Sequence, residues 1–427
     1  NTMVADMASL IVFIGIIGTA FWRKNNIGIL ALSAGVVLVN AVGMPEKVLI
    51  GGISASLFIT LVGITLLFSI VIDTGALDLL ARKVIATAGE RMWVLPILIF
   101  IAGFIVVSVG PGGVPALAII PPLAASIAVR VGFHPIMLIL IGICGMTAGR
   151  FSPITPESAI VAEAVMKAGL NGSDIIPALM VSVAFANFLA ALVLYVIYGG
   201  YKLKRPLQKL ETDVEAFSTR QIVSLSGIVA MLVLVVCFHV TLGLAALLVS
   251  GVLLFCHVAE DSTVVKMIPW STIVMVLGVG ALLSVVNKLG GIELMNDFMA
   301  SVMTESTAIP AMGISAGLLS FVSSALGVVY PTMMPMCVDI ARQIGNVNPV
   351  AMMSAVAVGG AVSGMSPAST GGALILAAVA GSYKEKYTKE VEGKYFLELL
   401  IVAAAGLVLF VTVAALTFNF IADMMCP

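Results

Sequence analysis

The stretch "GRFSPITPES", residues 149–158, places an arginine, two prolines and a glutamate inside an apolar run long enough to cross a membrane. A charged side chain at that depth is costly and indicates a functional site, so Arg150 needs an anionic partner. Two partners are open. One is a substrate carboxylate, which a planar guanidinium binds through paired hydrogen bonds, and the other is an internal ion pair with Glu157 or Glu163. Because prolines cannot donate backbone hydrogen bonds, the helix is predicted to break here.

Three further breaks interrupt apolar segments, at residues 108–115, 323–331 and 364–372. Irregular backbone persists in a membrane only where it lines a cavity or is buried in protein. The free N–H groups of a broken helix attract anions, whereas its free carbonyls, with Ser and Thr hydroxyls, suit Na⁺. The hydroxyls can also cap the half-helices, and capping is compatible with ligand binding.

These breaks give two sets of candidate residues. The predicted substrate-binding residues are Gly112, Gly113, Arg150, Ser152, Thr155, Ser324, Ser366, Ser369 and Thr370. The predicted Na⁺ ligands are Ser108, Gly110, Gly149, Ser323, Ala325 and Gly364.

The composition indicates that the elements carrying these breaks lie in a membrane. Of the 427 residues, 61% are hydrophobic and only 10% are charged, whereas soluble domains have roughly 25% charged residues. Apolar runs of about 20 residues recur along the chain, so we expect an all-α polytopic membrane protein. The net charge of −1 argues against nucleic acid as a partner. The sequence has no recognisable nucleophile–base pair or metal-ligand set, so we expect neither an enzyme nor a cofactor other than Na⁺.

The distribution of basic residues predicts the orientation. The apolar runs give spans near 8–22, 27–44, 50–72, 136–168, 174–198, 221–238, 240–257, 268–287, 350–381 and 396–421. Residues 93–129 and 307–341 are interpreted as re-entrant hairpins, and 76–91 and 290–304 as amphipathic helices at the interface. With both termini outside, most of the 21 Lys and Arg residues fall in cytoplasmic loops, in agreement with the positive-inside rule. Asp339 follows the second hairpin tip and is the other acid at a plausible depth for the site; the preferred interpretation places it near the outer interface, beside Arg342.

The two halves of the chain match, which predicts an internal duplication. An offset of 214 pairs Ser152 with Ser366 and Gly113 with Gly327, and an offset of 215 applies further upstream. Each half has five spans and one hairpin. Because five is odd, the second repeat is expected to be inverted, as in many secondary transporters.

The duplication divides the chain into two repeats and a linker. The first repeat is 1–200, with scaffold spans in 8–72, hairpin 93–129, broken helix 136–168 and span 174–198. Residues 201–220 form a cytoplasmic linker. The second repeat is 221–427, with scaffold spans in 221–287, hairpin 307–341, broken helix 350–381 and span 396–421.

The segments "GPGGVPALAIIPPLA" and "GMTAGRFSPITPESAIVAEAVMKAGL" resemble the MatC-type dicarboxylate carriers of the ion transporter superfamily, which also contains the divalent-anion/Na⁺ symporters. The resemblance implies a homodimer in a bacterial inner membrane. Its hairpins and broken helices would move as an elevator against a fixed scaffold. In the symporters each hairpin tip carries Ser-Asn-Thr, whereas the corresponding tips here, residues 110–113 and 323–327, have no Asn.

We therefore expect a secondary transporter that imports a small dicarboxylate, such as malonate, succinate or malate, together with Na⁺. The lipid bilayer and a second copy of the chain are the other expected partners. A cation/proton antiporter on a related scaffold is an alternative, with Glu157 as its titrating acid. H⁺-coupled transport of a di- or tricarboxylate also stays open.

Overall fold

The computed structural model describes residues 2–208, 213–367, 369–383 and 388–426, with the side chains of residues 2–4 and of Thr370 left out. All regular secondary structure in these ranges is helical, which confirms the predicted fold class. The first half contains α1 Thr2–Arg23, α2 Ile27–Ala41, α3 Lys47–Gly51, α4 Ala55–Asp73, α5 Ala76–Ala86, α6 Leu95–Ser108, α7 Gly113–Ala116, α8 Ile120–Val131, α9 Pro135–Gly149, α10 Pro156–Lys167 and α11 Gly172–Ile197.

The second half contains α12 Thr219–Phe238, α13 Leu242–Phe255, α14 Asp261–Met267, α15 Trp270–Lys288, α16 Gly291–Val302, α17 Ala308–Val322, α18 Tyr330–Ile344, α19 Pro349–Ala361, α20 Thr370–Tyr383, α21 Lys389–Val413 and α22 Asn419–Met425. Short 3₁₀ turns lie at Gly200–Lys202 and Val362–Met365, and π-helical turns at Ala325–Val329 and Ala414–Phe418. Within the described ranges, seven helices are long and apolar enough to cross a membrane. The shorter apolar helices are the second scaffold span of each half and pieces of the hairpins and broken helices.

Short polar side chains determine where several of these helices begin. Asn26 Oδ1 accepts the Gly28 N–H at 2.9 Å and caps α2. At the end of the linker, Ser218 and Gln221 form a reciprocal capping box that starts α12. Each cap satisfies backbone N–H groups that have no acceptor within the first helical turn. The breaks between neighbouring spans are therefore encoded locally.

The buried side chains form one large core and three smaller clusters. The large core joins the hairpin helices α6, α8, α17 and α18 with the broken helices and with α11 and α21. One smaller core joins α4 with α12 and α13, and another joins α1 and α2 with α15. The first three long helices of each half thus have cores of their own, although Val328 of the second hairpin belongs to one of them and Ile154 of the first break packs against the other. A fourth cluster, at the seam between the two groups, joins α4 and α15 with Ile160 of α10.

Two pairs of glycines bring helices of the two halves into backbone contact. A Cβ added to Gly63 of α4 would collide with the carbonyl oxygen of Gly243 in α13. A Cβ added to Gly278 of α15 would collide in the same way with Gly28 in α2. The offset of 215 converts one pair into the other, which is the arrangement that a two-fold axis between the halves would produce. The inverted orientation in a membrane remains a prediction.

Candidate functional site

The first broken helix is interrupted by a compact turn. Helix α9 ends at Gly149 and α10 begins at Pro156, a position whose missing N–H would have no helical acceptor anyway. Thr155 caps α10, because its hydroxyl accepts the Ser158 N–H at 3.3 Å. The single hydrogen of the same hydroxyl is shared between the carbonyl oxygens of Arg150, at 2.6 Å, and of Ser152, at 2.8 Å. Thr155 therefore fixes the turn that carries Arg150.

The second break repeats this turn. Ser369, which stands 214 positions after Thr155, donates to the carbonyl oxygen of Ser366 at 2.7 Å and accepts the Gly372 N–H at 3.0 Å. Each of these partners also stands 214 positions after its counterpart in the first break. The similarity between the halves thus extends to individual hydrogen bonds.

The tip of the first hairpin lies against the first break. Gly112 has φ 81° and ψ 179°, a conformation that residues with a side chain rarely adopt. The next N–H, that of Gly113, donates to Glu157 Oε1 at 2.7 Å. A Cβ on Gly112 would lie 2.6 Å from Glu157 Oε2. Both the backbone conformation and the close approach of the carboxylate therefore require glycine at this tip.

Arg150 contacts the same tip. A Cβ on Gly113 would lie 2.8 Å from Arg150 Nη2, and Arg150 Nε lies 3.9 Å from Glu157 Oε1. This ion pair is loose, since a guanidinium–carboxylate hydrogen bond is about 2.7–2.9 Å long. Arg150 Nε and Glu157 Oε2 are both buried and have no hydrogen-bond partner among the described residues. On α18, the phenol of Tyr330 also interacts with the guanidinium. The internal pair that the sequence allowed is therefore formed with Glu157.

Glu163, the other acid considered as a partner for Arg150, lines a crevice elsewhere. This cavity of about 400 Å³ lies at the seam, between α10 and α18 on one side and α3, α4 and α15 on the other. Lys167 and Asp339 also line it. Asp339 Oδ1 lies 3.7 Å from Arg342 Nη1, so the prediction that these two residues are neighbours is confirmed.

Among the residues that the structure describes, the second hairpin tip has no charged partner of this kind. Helix α17 ends at Val322, and Ser324 Oγ accepts the Gly327 N–H at 3.1 Å, which caps the following π-helical turn. At the positions that correspond to Arg150 and Glu157, the second break has Gly364 and Gly371. A Cβ on Gly371 would collide with the Gly364 carbonyl oxygen, so close backbone contact takes the place of the charged pair.

A family model described as "Citrate transporter" (CitMHS) matches residues 13–359, which is most of the chain. The chain belongs to the CitMHS citrate transporter family. It is therefore a multi-pass membrane protein that acts as a transporter and not as an enzyme, which confirms the expectation of secondary transport at this level. No curated protein matches the chain.

Among solved structures, this CitMHS family member resembles the YdaH transporter of Alcanivorax borkumensis. The TM-score is 0.60, the sequence identity is 13%, and the match covers 89% of this chain and 88% of that one. At this identity the likeness concerns the fold alone. The narrower resemblance to MatC-type carriers is matched by neither comparison, and it remains a hypothesis.

In this CitMHS family member, four of the predicted substrate-binding residues meet at one place, namely Gly112, Gly113, Arg150 and Thr155. Ser152 is buried in the same turn. Ser324, Ser366 and Ser369 lie at the second tip and break, where Ser324 and Ser369 serve as caps. Thr370 begins α20, and its side chain lies outside the described residues.

The predicted Na⁺ ligands also divide between the two tips. A Cβ on Gly149 would lie 3.2 Å from the Cβ of Ser108, so these two residues touch, while Gly110 packs against Phe68 of α4. Near the second tip, Ser323 Oγ donates to the Leu319 carbonyl oxygen at 2.6 Å. Ala325 begins the π-helical turn, and Gly364 lies in the second break. Whether any of these residues binds Na⁺ stays a prediction.

The candidate set omitted several residues that the fold brings to the first tip. The sequence analysis considered Glu157 as a partner for Arg150 and as the titrating acid of an antiporter, but not as a ligand of the hairpin backbone, which it also binds. Its position directly after the capping threonine and a proline was the available signal. Tyr330 and Phe68 gave no signal, because helices distant in the sequence supply them.

Proposed function

We propose that this CitMHS family member imports a small di- or tricarboxylate together with Na⁺. The observation that carries the proposal is the position of Arg150 at the first hairpin tip, beside glycine backbone that a ligand can approach closely. A guanidinium in that place suits a carboxylate ligand. The family description favours citrate, and the resemblance to MatC-type carriers favours a dicarboxylate.

The separate cores support an elevator mechanism as part of this proposal. The hairpins and broken helices share one core, and most buried side chains of the scaffold helices form two others, an arrangement that suits movement of the first group as one body. We further propose that the transporter is a homodimer in a bacterial inner membrane, with both termini outside.

Proton coupling is the second candidate. The observation that favours it is Glu157, a carboxylate that is 2% exposed and has one oxygen without a hydrogen-bond partner in the described part of the chain. A buried acid of this kind is also what a cation/proton antiporter would need. Carbonyl and hydroxyl groups at both breaks, which suit Na⁺, keep Na⁺ as the leading candidate.

The test is uptake by purified protein in proteoliposomes. Labelled citrate, malonate, succinate and malate are offered with a Na⁺ gradient, with choline in place of Na⁺, and with a protonophore. Na⁺-dependent uptake of at least one of them is expected. Uptake that persists in choline and collapses with the protonophore would reject Na⁺ coupling, and no uptake of any of the four would reject the substrate class.

A matched pair of variants tests the role of Arg150. Arg150→Lys keeps the charge but loses the paired hydrogen-bond geometry, so uptake should fall by about tenfold or more. Arg342→Lys is the control, because Arg342 is exposed and pairs with Asp339 away from the first tip. Equal uptake by the two variants would contradict a substrate contact at Arg150.

A further inference from the structure

Glu157 provides a carboxylate at the position proposed for the substrate carboxylate. Its Oε1 accepts the Gly113 N–H at 2.7 Å and lies 3.9 Å from Arg150 Nε. These are the two groups at the first tip that would bind an anionic substrate. A substrate carboxylate that uses them must therefore compete with Glu157.

The buried ion pair of Glu157 and Arg150 leaves some of its hydrogen-bonding atoms without partners among the described residues. Glu157 Oε2 and Arg150 Nε each lack a hydrogen-bond partner within the described part of the chain. Ion pairs that stabilise a buried site have close geometry and use the remaining donors and acceptors. An incompletely bonded pair such as this one can be exchanged at a smaller loss than a saturated one.

The pair packs directly against the backbone of the first hairpin tip. A Cβ on Gly112 would lie 2.6 Å from Glu157 Oε2, and one on Gly113 would lie 2.8 Å from Arg150 Nη2. Even a methyl group would not fit between the tip and these side chains. A carboxylate that binds the Gly113 N–H and Arg150 Nε must therefore take the place of Glu157 and move it aside.

We propose that Glu157 is an internal counter-anion, which holds Arg150 and the hairpin tip and is displaced when a substrate carboxylate binds. This inference rests on the proposed function, since it takes the substrate to be a carboxylate. The displaced Glu157 loses its cationic partner within the protein, where an unpaired charge is so unfavourable that the group takes up a proton instead.

Proton uptake therefore accompanies substrate binding, whichever ion drives transport. The proton goes to the Glu157 carboxylate as the substrate carboxylate takes over Arg150. Besides Arg150, the titratable side chain that interacts with Glu157 among the described residues is Tyr330. The second break has glycines at the corresponding positions, so one such exchange takes place per chain.

The experiment measures equilibrium binding by the purified full-length protein, so it does not depend on transport. Citrate and succinate are titrated calorimetrically at about pH 6 and about pH 8, in buffers of different ionisation enthalpy. The wild type should take up a proton on binding and bind more weakly at the higher pH. Glu157→Gln keeps an acceptor for the Gly113 N–H but has no charge to compete for Arg150. It should bind about tenfold more tightly than the wild type at the higher pH and take up fewer protons.

Glu163→Gln is the matched control, because Glu163 lies on the same helix but lines the crevice at the seam. It should behave as the wild type, and comparison with it removes the ligand's own titration from the proton count. Equal proton uptake by Glu157→Gln and Glu163→Gln would overturn the inference, as would weaker binding by a folded Glu157→Gln. If the wild type binds neither citrate nor succinate, the proposed function and this inference both fail. If the wild type binds a ligand but Glu157→Gln binds no more tightly and takes up as many protons, the inference fails while the proposed function stands.

Discussion

Replacing Gly243 by alanine should weaken the contact between α4 and α13, whereas the same change at Gly251 should not. Both glycines lie in α13. A Cβ on Gly243 would lie 2.5 Å from the Cα and 2.8 Å from the backbone nitrogen of Thr60, while a Cβ on Gly251 would meet no atom of the described residues within 4 Å. The atoms that Gly243 faces are backbone atoms, so they cannot rotate away as a side chain could.

The size of the effect follows from this overlap. Carbon atoms in contact lie about 3.5–4.0 Å apart, so the two helices would have to separate by about 1 Å. Overpacking of this kind destabilises a protein by about 1–3 kcal/mol. The gain from higher helix propensity, about 1 kcal/mol, is common to both substitutions. The difference between the two variants therefore isolates the clash, and we expect Gly243→Ala to be less stable than Gly251→Ala by about 1–3 kcal/mol.

Thermal unfolding of the detergent-purified protein, followed by tryptophan fluorescence, measures this difference. Gly243→Ala should melt at or below the wild type, Gly251→Ala at or above it, and Gly243→Ala below Gly251→Ala. Gly278→Ala should behave as Gly243→Ala does, because its Cβ would collide with the Gly28 backbone in the corresponding contact. Equal melting temperatures for Gly243→Ala and Gly251→Ala would refute the close helix contact.

Three further predictions concern the breaks and the start of α9, where His134 precedes the first helical residue. Thr155→Val and Ser369→Ala each remove a helix cap of the same geometry, so each should lower the unfolding free energy by about 1 kcal/mol in the same melting assay. Ser152→Leu and Ser366→Leu should each abolish carboxylate uptake without loss of expression. Normal uptake by both variants would show that the binding site lies elsewhere. Burial lowers the pKa of His134 from its usual value of 6.5, although Glu398 opposes the shift. The unfolded chain therefore binds more protons, so stability should fall as the pH drops below 6.5, and melting curves of His134→Gln should lose this pH dependence.

The helix breaks could be predicted from sequence because their causes are local. Pro156 at the start of α10 and the capping hydroxyls of Thr155 and Ser369 act within three residues of their own positions. Such short-range hydrogen bonds depend on residue type and spacing, which the sequence states directly. The membrane class was equally accessible, because composition alone determines whether the helices can lie in lipid.

Only the tertiary structure determines which residues pack against each helix break. The sequence allowed Arg150 to pair with Glu157 or Glu163, and both lie on α10. The turn directs Arg150 to Glu157, while the packing of α10 against α18 leaves Glu163 in the crevice. The bond from Gly113 to Glu157 spans 44 residues. No local pattern encodes such a distance, because it results from how all the helices fill the core together.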